Sequence, residues 1–183
     1  MTANSQGPEQ AQSFSSPYEE ALLNLMRSAD CLHRSMQQRL KPTGLTLTQY
    51  NVLRILRAAS PAGLTCSAIG RKMITPEPDI TRLLGRLKAQ KLLCQERDTR
   101  DRRVVWSCIT AEGVAVLSRL DGIVSPAPKE LLGELSKDEL RELTRLLKKA
   151  RSCAGGRNAG EAELPVSVKP LSLRSPLLRR HPE

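Results

Sequence analysis

Apolar residues recur every three or four positions through most of the chain and form extended runs only near its middle. Leu22, Leu25, Met26, Ala29, Leu32 and Met36 make one stripe, widened by Leu23, over a helix predicted at 18–40. Val52, Leu53 and Leu56 give a second helix, at 47–59, a face to bury, and a third is expected at 66–73. Ile80, Leu83, Leu84 and Leu87 share one face of a fourth helix, at 76–90, whose other side carries Asp79, Thr81, Arg82, Arg86 and Lys88. Two extended runs follow, at 91–97 and 104–109. They are joined by the charged turn Asp98-Thr99-Arg100-Asp101-Arg102-Arg103. A fifth helix carries Val114, Leu117, Leu120, Ile123 and Val124. A short piece at 129–135 comes next, and a last helix carries Leu140, Leu143, Leu147 and Ala150.

The punctuation between these segments agrees with the periodicity. Pro17 opens the first helix; Pro42 and Gly44 end it. Thr46 and Gln49, and again Ser136 and Glu139, stand three apart, the spacing at which each side chain reaches the other's backbone amide at a helix start. Thr65 and Thr110 are further N-caps, and Leu64-Thr65 is a candidate short strand against the hairpin base. Pro76 and Pro78 fit a first helical turn, where amides lack intrahelical partners. Pro126 and Pro128 should break the fifth helix. Gly85 lies on the polar side of the fourth helix, where lacking a side chain permits close backbone approach.

Helix, helix, then a hairpin tipped with arginines is the order of a winged helix-turn-helix. The expected fold is mainly α with a small β-hairpin, one domain at 17–151 with the winged portion at 46–110. Residues 1–16, rich in Ser, Gln and Asn, are expected to be a disordered arm, and 152–183, rich in Gly, Pro and Arg, a disordered basic tail.

Charge then suggests the partner. The chain has 183 residues and a formal net charge of +10. Between Cys66 and Arg103 ten Lys/Arg face five Asp/Glu, half of the whole excess. A basic surface of this kind attracts nucleic acid first and an anionic membrane second. Aromatics are 2% of the chain, too few to stack on single strands, so double-stranded DNA is the expected partner. No apolar run is long enough to cross a membrane, and the N-terminus lacks a signal-peptide pattern, so a cytoplasmic location is expected. Phosphates need cations and base edges need polar groups. Arg82 and Arg86, one turn apart, can each pair bidentately with guanine. Asp79 and Thr81 can meet cytosine or a thymine methyl. Arg71, Lys72 and Lys88 are candidates for phosphate only.

The wing Arg97-Asp98-Thr99-Arg100-Asp101-Arg102-Arg103, the Thr110-Ala111-Glu112-Gly113 helix start and Asp79-Ile80-Thr81-Arg82-Leu83-Leu84 together resemble the MarR family of bacterial transcription regulators, over roughly residues 18–151. The resemblance implies a homodimer whose terminal helices, 18–40 and 129–151, pack together. Two recognition helices would then meet half-sites roughly 34–36 Å apart on a near-palindromic operator. It matches Asp101 and Arg103 to the family's wing signature, with Asp101 steadying the wing by pairing with an arginine. Arg100, Arg102 and Arg103 would supply the groove contacts, where negative potential favours guanidinium. It also implies a repressor released by a small aromatic effector, in a pocket built from the first, second and fifth helices, with Tyr50 and Arg54 as candidates. Lys91 stands where the family has glycine; a left-handed conformation would cost a non-glycine residue about 1 kcal/mol or more, so the resemblance leaves the cap geometry there open.

Other functions find less support. The two histidines, His33 and His181, sit without a partner at catalytic spacing, and no phosphate loop or nucleophile elbow occurs, so an enzyme is not expected. Cys31, Cys66, Cys94, Cys108 and Cys153 are odd in number and widely spaced, which argues against a disulfide framework and against a zinc site. Neither a metal nor a cofactor is expected. Two alternatives stay open: a cysteine-based redox-sensing regulator, with Cys66 at a helix N-terminus as one thiol to consider, and a protein-interaction module that has lost specific DNA binding.

Overall fold

The computed structural model describes residues 14–154. The expected arm and tail therefore lie almost wholly outside the described residues. The element order is α1 (Pro17–Leu40), a 3-10 turn (Lys41–Thr43), α2 (Leu47–Ala58), β1 (Leu64–Thr65), α3 (Cys66–Lys72) and α4 (Ile80–Ala89). It continues with β2 (Leu93–Arg97), β3 (Val105–Ile109), α5 (Ala111–Val124), α6 (Ala127–Leu132) and α7 (Lys137–Ala154). The expected mainly helical fold with a β-hairpin is present. The hairpin gains β1 as a third strand, in the order β1-β3-β2, with Leu64 opposite Ser107 and Thr65 opposite Trp106.

The caps read from the sequence form. Thr46 accepts from the Gln49 amide at 3.2 Å while the Gln49 side chain accepts from the Thr46 amide at 2.9 Å. Ser136 and Glu139 make the same exchange. Thr65 accepts from the Ala68 amide and starts α3.

Two boundaries and one helix face differ from expectation. The fourth helix begins at Ile80, not at residue 76. Pro78 disfavours a helical conformation at Glu77, and the Asp79 side chain accepts from the Arg82 amide at 3.0 Å, fixing the start just beyond both prolines. The short piece after α5 begins at Ala127, ahead of the expected 129, with Pro126 as its N-cap residue. In α5, Leu117, Leu120 and Val124 are buried, whereas Val114 and Ile123 point outward at 38% and 41% exposure.

The core sits where α2, α4, α5 and the sheet meet. Leu53, Leu56, Ile69, Leu84, Leu87, Leu93, Leu117 and Leu120 are essentially inaccessible. Burying each such side chain contributes about 1.5–3 kcal/mol. Outside this core Arg57 clamps Asp121 with two hydrogen bonds of 2.8 and 3.0 Å, tying α2 to α5. Arg39 reaches the Ile123 carbonyl and Glu130, tying α1 to the α5–α6 junction.

The outer helices are not covered in the same way. In α1 only Leu40 is buried; Tyr18, Leu22, Leu25 and Met26 are 42–87% exposed. No residue of α7 with a described side chain is buried, and Leu146 is 48% exposed.

Candidate nucleic-acid interface

The outward face of α4 is a product of its packing. Leu83, Leu84 and Leu87 turn into the core, which forces Thr81, Arg82, Gly85, Arg86 and Lys88 to the surface, where all are exposed. Arg82 and Arg86 are one turn apart there, with Gly85 between them and nothing within 4 Å of where its Cβ would lie. Asp79 is engaged as the N-cap, so its carboxylate is aimed at the helix's own amides. The Thr81 hydroxyl lies 3.9 Å from the Cys66 sulfur, across the helix-turn-helix. Arg71 and Lys72 are exposed in the last turn of α3, where cations also suit the helix dipole.

The end of α4 sets the direction of the hairpin. Lys91 is left-handed at φ 59°, its amide donating to Lys88 and the Leu92 amide to the Leu87 carbonyl. This is a Schellman closure with lysine where glycine is easiest. Thr110 then joins the two helices that flank the sheet. Its hydroxyl donates to the Lys91 carbonyl at 2.7 Å and accepts from the Gly113 amide at 3.1 Å.

The wing is organised by Asp98. One carboxylate oxygen accepts from the amides of Arg100, at 2.8 Å, and Asp101, at 3.0 Å. The other accepts from the Trp106 indole at 3.0 Å. The Asp98 amide closes the turn onto the Val104 carbonyl. The Asp101 amide, the Trp106 indole and the Arg100 amide, in that order, hold the Asp98 carboxyl below its usual value. Asp101 accepts from the Arg103 amide at 3.0 Å, while its ion pair with the Arg103 side chain is long, 3.8 Å, and that side chain is 95% exposed. Such an exposed pair adds little stability. Arg100, Arg102 and Arg103 therefore stand on a braced turn with their guanidinium groups facing solvent.

The role of Asp98 was not among the sequence expectations. The available signal was an Asp at a strand end followed by a short polar turn, the setting in which its side chain takes the next backbone amides.

Tyr50 and Arg54 lie elsewhere. Tyr50 is buried, its hydroxyl pushed up by that burial, and the Arg54 guanidinium sits 5.6 Å from its ring centre. A cleft of about 410 Å³ opens beside α5, lined by Pro42, Thr43, Val116, Arg119, Leu120 and Ile123. Among the described residues no cluster of three metal-ligating side chains occurs, and no helix is long and apolar enough to cross a membrane.

A MarR family model matches residues 43–104, the span from the 3-10 turn to the wing. The transcriptional regulator HosA of Escherichia coli O127:H6 is 32% identical over 107 residues, covering 57% of this chain and 76% of that protein. A MarR transcription factor from Planctomyces limnophilus is 35% identical, with TM-score 0.58, over 74% of this chain and 98% of its own. This chain belongs to the MarR family. It is a DNA-binding transcriptional regulator, and members of the family are not enzymes. A mutant MarR from E. coli, solved in complex with operator DNA, is 26% identical with TM-score 0.65 over 74% of this chain and 99% of its own.

Proposed function

We propose that this MarR regulator acts in the cytoplasm as a homodimeric repressor. It lays α4 in the major groove of each half-site and sets the wing against the neighbouring backbone or minor groove. The observation that carries this is the exposed guanidinium face of Arg82 and Arg86 beside a wing turn that Asp98 braces. Arg82 and Arg86 read base edges, while Asp79, committed as a cap, and Thr81 shape the helix start. Arg100, Arg102 and Arg103 enter the groove or meet phosphate, and Asp101 steadies the turn. Arg71, Lys72 and Lys88 hold phosphates.

The uncovered faces of α1 and α7 support pairing with a second copy. Tyr18, Leu22, Met26 and Leu146 are too exposed to be core residues of a monomer. A small aromatic effector fits the cleft beside α5 better than the Tyr50–Arg54 stack, because the cleft is open and apolar with Arg119 at its wall. The 25% identical BpsR of Bordetella bronchiseptica, whose DNA binding is regulated by 6-hydroxynicotinic acid, supports a ligand of that class.

The test is operator selection from random DNA followed by anisotropy titration. Arg82→Ala and Arg103→Ala should each weaken binding by about 1–3 kcal/mol while the protein stays folded and dimeric. Parent affinity should fall by orders of magnitude between roughly 50 and 200 mM salt. Full affinity in both variants, or a monomer by sedimentation, refutes the proposal.

A further inference from the structure

Two of the five cysteines are brought together by the sheet. Cys94 on β2 is directly opposite Cys108 on β3. The ladder continues through Thr110 N–H to the Leu92 carbonyl and Asp98 N–H to the Val104 carbonyl, so this is a hydrogen-bonded pair of residues. Opposite residues at such a position lie about 5.5 Å apart at Cα, inside the range of about 4.4–6.8 Å that a disulfide spans. Both side chains point to the face opposite Leu93, Ser107 and the core, and both are half-buried, within reach of a small oxidant.

The sulfurs sit in a narrow setting. The Cys94 sulfur is 3.6 Å from the Cys108 carbonyl oxygen. The Cys108 sulfur is 4.0 Å from the Pro61 carbonyl oxygen and fills the space a Cβ on Gly63 would need. Burial, then the neighbouring Cys94 sulfur and Glu96, raise the Cys108 thiol above its usual value. Cys31 and Cys153 are exposed, and Cys66 lies on α3.

We infer that Cys94 and Cys108 are a redox couple that closes to an intrachain disulfide under a hydroperoxide and resets the wing. The Cys94 thiolate attacks the terminal peroxide oxygen; the S–O bond forms, the O–O bond breaks, and an alcohol leaves with a proton. The sulfur is oxidised to a sulfenic acid and the peroxide is reduced. Cys108 then attacks the Cys94 sulfur; the S–S bond forms, the S–O bond breaks, and hydroxide leaves as water with the Cys108 proton. Two thiols and one hydroperoxide give one disulfide, one alcohol and one water. Thiol exchange with a low-molecular-weight dithiol reverses the bond.

The geometry transmits the change. A disulfide draws opposed Cβ atoms to about 3.8 Å, from about 4.5–5.5 Å in an open ladder. Asp98 is four residues beyond Cys94, just past the end of β2, about 13 Å at the rise of a strand. Drawing the strands together at the bridge changes their local twist, and the two strands carry that change along this lever to the wing turn. The consequence for DNA rests on the DNA-binding proposal above; formation of the bond does not.

The full-length protein is treated with hydrogen peroxide and digested without reduction, with peptide mass spectrometry as the first readout. A Cys94–Cys108 linked pair, two hydrogens lighter than the reduced peptides, is expected. It should be absent in Cys94→Ser and Cys108→Ser and reversed by dithiothreitol. Hydrogen exchange of the wing amides at 98–104 should change only on oxidation of the parent. Operator affinity should drop roughly tenfold, the cost of losing one good contact. Linkage through Cys31, Cys66 or Cys153, over-oxidation of Cys94 without a link, or a linked protein with unchanged wing exchange overturns the inference. A reduced parent that binds no operator, yet links and shifts its wing, overturns the DNA proposal and leaves the couple standing.

Discussion

Gly85 and Gly113 pose one substitution in two surroundings. Both are helical, and replacing a helical glycine with alanine ordinarily stabilises by about 1 kcal/mol. At Gly85, on the outer face of α4, an added Cβ meets nothing within 4 Å. Gly85→Ala should therefore gain close to that full amount. At Gly113, in the first turn of α5, the Cβ would overlap the Leu92 carbonyl oxygen and lie 2.7 Å from Ile109 Cγ1. That carbonyl accepts the Thr110 amide and is held by the Schellman turn, so it cannot swing away cheaply. Overpacking of this kind costs about 1–3 kcal/mol or more, enough to reverse the propensity gain. The shared propensity gain cancels between them, so the two variants should differ by the overpacking cost itself, about 1–3 kcal/mol or more, with the parent between them. Guanidinium denaturation followed by circular dichroism, at one fixed protein concentration, measures both. Gly113→Ala as stable as the parent, with an unchanged denaturant slope, would refute the argument that α5 is seated against β2 through this glycine. Gly85→Ala carries a second outcome. If the outer side of α4 faces the groove, as proposed, a methyl there should weaken operator binding even as stability rises.

Two more predictions concern the hairpin. Lys91→Gly removes the cost of a left-handed side chain and should stabilise by about 0.5–1 kcal/mol, read by the same denaturation; a loss would mean that the lysine stem contributes packing. Asp98 is held below its ordinary value of 3.8, so its bracing of the wing is complete above that pH and fades as pH falls through the depressed value. The Trp106 indole proton, followed by NMR, should shift with that acid transition in the parent, and the transition should vanish in Asp98→Asn. An indole signal that ignores pH down to acid unfolding would show that the bond does not brace the turn.

Much of this structure was legible because local chemistry and tertiary packing agree. The Thr46–Gln49 and Ser136–Glu139 exchanges and the buried face of α4 all follow from short-range spacing. At the start of α4 two rules compete. Prolines fit a first helical turn, but Pro78 also restrains Glu77, and Asp79 offered the later cap. Val114 and Ile123 share the apolar stripe of α5 yet are exposed, because periodicity finds a stripe without saying which part of it its own chain covers. The bond from the Trp106 indole to Asp98 and the pairing of Cys94 with Cys108 depend on strand register, which joins residues eight and fourteen apart and is not written in local spacing. The cations of the interface were legible as charge, but that the wing turn holds them on a fixed frame was not.

The partly covered leucine face of α7 also bears on gene dosage. A helix that finds little burial within its own chain gains it from another molecule, and where that molecule is an identical copy, assembly consumes two chains at once. At scarce levels, occupied operators then rise with the square of protein abundance. Halving synthesis would empty about three-quarters of the sites instead of half, giving the cell a steep response with no additional component.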